Sequence, residues 1–290
     1  MKSLIRILSL AAVAALPQVS SAQTGPAGAA TNPPPAPRRF ANTARGADQP
    51  SPRTDKNSQL AHEELVAKAK KGGIDIYFEG DSITRRWGTS DYAWRANLAN
   101  WNSNFFGWNA ADFGWGADST QHILWRLENG ELDGVNPKII VLLAGINNVG
   151  AFPGGDEKVA NITRGLQAIV KVMQEKAPNA VIILTGLFPR NGSAALIAEI
   201  NKINDNLAKM ADGKKIRYIN VNDKLADENG KLHPGMTVDG LHPTPKGYQI
   251  WADALKPIFT EILGPPAKTD HAPAPSADPS AKPAPAAAAQ

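Results

Sequence analysis

Ser82 closes the stretch Ile74-Asp75-Ile76-Tyr77-Phe78-Glu79-Gly80-Asp81-Ser82, an apolar run that ends in Gly-Asp-Ser. A serine hydroxyl is a useful nucleophile only when a neighbouring base takes its proton. The chain offers such a base in Asp239-Gly240-Leu241-His242-Pro243. A carboxylate just ahead of an imidazole can fix its tautomer and leave its other nitrogen free to accept. Gly240 permits a tight backbone there, and Pro243 stiffens it. Ser82, His242 and Asp239 together point to ester hydrolysis through an acyl-serine intermediate. Each has a plainer reading on its own: Ser82 as a helix cap, and the Asp-His pair as a surface turn. Among the other histidines, His62 falls in a charged helix, His122 in a helix after Gly116, and His271 in a Pro/Ala-rich tail. His233 has no Asp at the same offset and ranks second as a base.

Acyl transfer also needs donors that converge on the tetrahedral oxygen. Three candidates arise: the backbone N–H of Ser82, that of Gly116, and the side-chain amide of Asn147. Glycine at 116 lets backbone approach substrate closely. Asn147 has a bland alternative, since asparagine often stabilises its own loop.

These residues need a scaffold that brings them to one edge. Apolar runs at 74–78, 110–113, 138–145, 180–186 and 216–221 read as strands, and the run at 138–145 is apolar on both faces. Between them, Val159, Ile162, Leu166, Ile169, Val170 and Met173 fall at helical spacing, as do Leu196, Ile200, Ile203 and Leu207, then Tyr248, Trp251, Leu255 and Ile258. Shorter helices are expected over 59–70 and 119–127. Such alternation predicts an α/β, three-layer sandwich: a five-stranded parallel, flavodoxin-like sheet with helices on both faces. Sites in these sheets form beyond the carboxyl ends of the strands, and the turns at Ser82, Gly116 and Asn147 all follow strand ends.

Tryptophans recur at 87, 94, 101, 108 and 115. Glycines 88, 107, 114 and 116 interrupt any coiled-coil seam, so the spacing reads as accidental. Most of the rings are expected in the core, with one or two available to a sugar.

The ends of the chain differ from its middle. Residues 1–22 carry a basic start (Lys2, Arg6), an apolar run and Ser20-Ser21-Ala22, the pattern of a signal peptide. Its apolar run is too short for a lasting membrane anchor, so the protein is expected to be secreted or periplasmic, with no stable membrane insertion after cleavage. Residues 23–57 and 265–290 are rich in Pro, Ala, Gly and Ser and read as a disordered linker and tail. The folded domain is therefore expected over 58–264. The formal net charge of +4 falls by two when Lys2 and Arg6 leave. The remaining basic residues form no stripe beside aromatics, which argues against nucleic acid as a partner. There is no cysteine, so thiol catalysis and Cys-based metal sites are excluded.

The blocks Gly80-Asp81-Ser82, Gly116, Gly145-x-Asn147 and Asp239-x-x-His242 resemble, in order, the four blocks of the SGNH (GDSL-type) hydrolases. The resemblance spans about Ile74 to Leu263. It implies a nucleophilic Ser82, oxyanion donors at Ser82, Gly116 and Asn147, a His242–Asp239 base, and no metal or organic cofactor. Phe113-Gly114-Trp115-Gly116-Ala117-Asp118-Ser119-Thr120 and 122–132 are similar to the catalytic subunits of type I platelet-activating-factor acetylhydrolases and to secreted bacterial esterases of that subgroup. Asn148 stands where many SGNH enzymes carry Asp. The expectation is a secreted serine esterase acting on acetyl or other short acyl groups of a small-molecule or polysaccharide ester. A homodimer is also implied, because those relatives often pair. Two alternatives remain: a lipase or lysophospholipase, and a non-catalytic carbohydrate-binding module on the same fold.

Overall fold

Ile139-Ile140-Val141-Leu142-Leu143 is apolar at every position, which suits a strand buried on both faces, and it forms the middle of a five-stranded sheet. A computed structural model of the protein describes residues 46–280. Strands β1 (Ile76–Gly80), β2 (Ala110–Asp112), β3 (Ile139–Leu143), β4 (Val181–Thr185) and β5 (Ile216–Ile219) pair in parallel in the order β2-β1-β3-β4-β5. That order is flavodoxin-like and makes the expected three layers. Phe78 lies opposite both Asp112 and Val141, so β1 and its neighbours end together at one rim.

The helices are α1 (Lys56–Ala69), α2 (Ser82–Gly88), α3 (Arg95–Phe105), α4 (Thr120–Arg126), α5 (Ile146–Val149), α6 (Gly155–Lys176), α7 (Ala194–Met210), α8 (Asn222–Leu225) and α9 (Pro245–Leu263). Neighbouring strand residues face opposite ways, and β1 shows the consequence. Phe78 packs among Trp87, Trp101, Phe105, Trp251 and Phe259 of α2, α3 and α9. Tyr77 stacks on Phe113 at 4.0 Å, and its hydroxyl donates to the Glu131 carbonyl. Four of the five regularly spaced tryptophans, 87, 101, 108 and 115, are buried. Trp94 remains half-buried beside α2.

Two expectations need correction. The tail is packed as far as residue 280: Ala267 N–H donates to the Gly107 carbonyl at 2.8 Å, and the Asp270 carboxylate accepts Gly107 N–H at 2.7 Å. Further on, Ser276 O accepts Ser90 N–H, and Asp278 accepts from the Asn57 amide. The linker is packed from residue 46: Ala47 is fully buried, its N–H donates to Asn161, and its carbonyl accepts from Thr120. Composition misleads here because hydrogen bonds, rather than an apolar face, hold both segments. The signal-peptide expectation lies outside the described residues. Among the described residues no helix is long and apolar enough to cross a membrane.

Candidate active site

The tight turn from β1 into α2 places Ser82 at the carboxyl rim. Gly80 is required there, since a Cβ would lie 2.2 Å from Thr84 Oγ1 and 2.4 Å from the Leu143 carbonyl oxygen. Asp81 caps α2 by accepting Ile83 N–H at 2.9 Å. Its burial pushes the carboxyl up to about 7, with Ile83 N–H opposing.

The structure brings together the three residues singled out for acyl transfer. Ser82 Oγ lies 2.9 Å from His242 Nε2, and His242 Nδ1 lies 2.7 Å from Asp239 Oδ2. The Asp239 Oδ1 atom accepts the backbone N–H of His242 at 2.8 Å and that of Leu241 at 3.1 Å. The short offset thus lets one carboxylate hold both the ring and its backbone. Burial pushes the Asp239 carboxyl up, but the hydrogen bonds from His242 and Leu241 outweigh it and keep the pKa below the usual value. Burial lowers the His242 pKa below 6.5; Asp239 opposes this, while the nearby cations Arg86 and Arg190 add to it. The downward direction favours the neutral imidazole, the form a base needs. Arg86 lies 3.5 Å from Asp239 Oδ2, with its guanidinium over Trp94.

Gly116 sits on the loop after β2 and Asn147 in the short helix α5 after β3, both strands being neighbours of β1 in the sheet. A Cβ at Gly116 would meet nothing within 4 Å, so this backbone opens onto free space. Asn147 donates one amide N–H to the Asp118 carbonyl at 2.7 Å. An amide nitrogen carries two hydrogens, and the second is not engaged among the described residues. Gly145 turns the chain into α5 at φ 112°, a conformation suited to glycine. Asn148 links α5 to α4: its Oδ1 accepts Thr120 N–H and its amide donates to Gln121, both at 2.9 Å. A carboxylate in its place would lack that donor. Ser82 N–H lies in the first turn of α2, where backbone donors have no intrahelical acceptor.

Two of the other histidines have side-chain partners. His62 pairs with Glu131 at 2.7 Å, and His122 accepts Ser119 N–H at the start of α4. His233 lies on the 226–233 loop, where its N–H donates to the Leu225 carbonyl.

A buried charge cluster beneath the rim went unread in the sequence. Arg126 donates to Asp118 Oδ2 at 2.7 Å, to Glu79 Oε1 at 2.7 Å, to the Phe113 carbonyl at 3.0 Å, and to Glu131. All three carboxylates are fully buried. Burial pushes Glu79 up to about 8 although Arg126 pulls it down. The available signal was Glu79 itself: a carboxylate inside an apolar strand requires a buried cation.

Comparisons with known proteins bear on the family and the fold. The GDSL-like lipase/acylhydrolase family matches residues 78–250, more than half of the chain. Platelet-activating factor acetylhydrolase IB subunit alpha1 of Bos taurus is 29% identical over 204 residues, covering 70% of this chain and 82% of that protein. The subunit beta homolog of Drosophila melanogaster is 28% identical over 211 residues, covering 72% and 88%. In structure, a GDSL-like lipase from Bacteroides thetaiotaomicron superposes with a TM-score of 0.56 at 21% identity, covering 72% of this chain and 98% of that one. The last similarity concerns the fold.

Proposed function

The chain is a carboxylic ester hydrolase belonging to the GDSL-like lipase/acylhydrolase family, and from that premise we propose a serine esterase that removes acetyl or other short acyl groups through Ser82. The observation that carries this reading is the unbroken chain Ser82–His242–Asp239, with contacts of 2.9 Å and 2.7 Å. Ser82 Oγ attacks the ester carbonyl while His242 Nε2 takes its proton, and the Asp239 carboxylate stabilises the imidazolium. Negative charge grows on the carbonyl oxygen, and its stabilisation is assigned to Ser82 N–H, Gly116 N–H and the second N–H of Asn147. His242 then protonates the departing alcohol, leaving an acyl-serine. Water activated by the same histidine releases the acid and restores Ser82.

Short acyl groups are favoured because relatives aligned over 82% and 88% of their own length carry the name acetylhydrolase. A carbohydrate ester as natural substrate rests on Trp94, the half-buried ring beneath Arg86, whose guanidinium in turn reaches Asp239; the other tryptophans of that series are core residues. Action outside the cytoplasm rests on the leader-like residues 1–22. The deciding experiment measures hydrolysis of p-nitrophenyl acetate, octanoate and longer esters, with acetylated xylan as a polymeric substrate. Ser82→Ala is expected to lose all turnover while keeping its circular-dichroism spectrum. Wild-type turnover by that variant refutes the assignment, and rates that climb with chain length favour a lipase instead.

A further inference from the structure

The loop Gly114–Ser119 carries the Gly116 N–H and, through the Asp118 carbonyl, the acceptor that orients Asn147. It is a strained loop. Ala117 adopts φ 65°, in the left-handed region, where a Cβ crowds the backbone and which only glycine visits without cost. Left to itself, such a peptide relaxes to a commoner conformation. Both oxyanion donors outside α2 would move with it.

An arm from far earlier in the chain reaches this loop. Arg53 Nη1 donates to the Gly116 carbonyl at 3.0 Å and to Asp118 Oδ1 at 3.1 Å, spanning Ala117 from both sides. Arg53 is itself held by Asp55, whose Oδ2 accepts its Nε at 3.0 Å and whose Oδ1 caps α1 through Ser58 N–H at 2.9 Å. Ser58 adds a third tie, since its hydroxyl accepts Trp115 Nε1–H at 2.8 Å. On the other side, Arg126 Nε occupies Asp118 Oδ2 at 2.7 Å. The Asp118 carboxylate is therefore gripped at each oxygen by a different arginine. The two grips are not equivalent. Arg126 is enclosed by three carboxylates, whereas the Arg53 side chain is 21% exposed on a segment that contributes little to the apolar core.

We propose that Arg53, on the arm ahead of α1, is a positioning residue that holds the loop Gly114–Ser119 in the shape that presents the oxyanion donors of Gly116 and Asn147. The proposal rests on the Ser82 esterase reading. Arg53 touches no reacting atom; it acts through the Gly116 and Asp118 oxygens. Misplaced donors weaken transition-state binding more than substrate binding, so the effect belongs in kcat. Losing an oxyanion donor outright costs about 10²–10³ in kcat. Loosening two without removing either is expected to cost about 10- to 100-fold.

The test compares wild type, Arg53→Ala, Arg53→Lys, Arg53→Ala/Ala117→Gly and Ser82→Ala on p-nitrophenyl acetate, with melting temperatures for all. Arg53→Ala is expected to lose kcat by that factor, with KM within about twofold and the protein folded at assay temperature. Arg53→Lys keeps charge against Asp118 without the planar fork and recovers part of the rate. Ala117→Gly removes the Cβ cost of the left-handed conformation and is expected to restore part of the rate to Arg53→Ala. A purely structural arginine would show no such rescue. Wild-type kcat in Arg53→Ala overturns the proposal, and so does a loss that neither Arg53→Lys nor Ala117→Gly lessens. If Arg53→Ala does not fold, the kcat of the folded Arg53→Lys variant decides, with wild-type kcat overturning the proposal. Ser82-independent turnover would instead overturn the esterase reading.

Discussion

Replacing Arg126 by methionine should strongly destabilise the protein, and the structure gives the scale. The side chain is almost fully buried and serves Asp118, Glu79 and Glu131, three carboxylates with no solvent exposure. Methionine has similar length and apolar packing, so the main loss is the cation. Breaking a buried ion pair from one side typically costs about 3–5 kcal/mol, because the partner charge is stranded. Here several partners are stranded at once, although His62 still pairs with Glu131 and Arg53 with Asp118. Against a total stability of about 5–15 kcal/mol, a loss of about 4 kcal/mol or more is expected. The loss should also depend on pH. Burial already holds Glu79 at about 8 in the fold against an ordinary 4.5 in water, so the folded state holds a proton that the unfolded state releases between those values. Stability from this group is then fully present below pH 4.5 and falls as pH rises towards 8. Without Arg126 the Glu79 pKa climbs further and the slope steepens. Urea unfolding of wild type and Arg126→Met at pH 5.5 and pH 8 measures both effects. The reasoning fails if the variant lies within about 1 kcal/mol of wild type at both pH values, or if its deficit is larger at pH 5.5.

Two further outcomes concern the histidine and the tail. In Arg86→Gln one of the cations that lowers the His242 pKa is gone, so the base is protonated at higher pH. The acid limb of the kcat/KM profile should move upward; an unmoved limb would show that Arg86 does not act on the His242–Asp239 pair. Ending the chain at Pro265 removes the hydrogen bonds made by Ala267, Asp270, Ser276 and Asp278. It also opens a cavity of about 170 Å³ lined by Trp101, Phe105 and Ala110. At roughly 1 kcal/mol per hydrogen bond the melting temperature should drop by about 5 °C or more, and calorimetry showing no change would mean the tail is only draped on the surface.

What could be read from the sequence follows a physical division. β3 and β4 are apolar on both faces, so their place in the sheet is written in consecutive residues. β2, only Ala110–Asp112, is recognisable mainly from its setting. The Ser82 turn and the Asp239–His242 pair are local patterns, and the fold had only to bring two of them together. Arg53 was out of reach. It sits in a Pro-rich stretch without periodicity, and its partners Gly116 and Asp118 lie more than 60 positions on. The tail hid for the same reason: Asp270 and Asp278 anchor it through backbone and amide groups, which leave no hydropathy signature. Glu79 was the exception, a legible anomaly whose partner, Arg126, lay unremarked in the block that carried the resemblance.

The tail has a consequence for the order in which the molecule matures. β2 is the edge of a parallel sheet, and bare sheet edges invite pairing with other chains. Residues 265–280 lie beside that edge, bonded to Gly107, Asn109 and Ser90. They also leave the ribosome after every strand of the sheet. The sheet can assemble before its guard has been synthesised, so each nascent molecule passes through an interval in which β2 and the aromatic cavity beside it are uncovered. Premature termination or proteolytic trimming makes that interval permanent. Such shortened chains would retain Ser82, His242 and Asp239 yet be lost to aggregation.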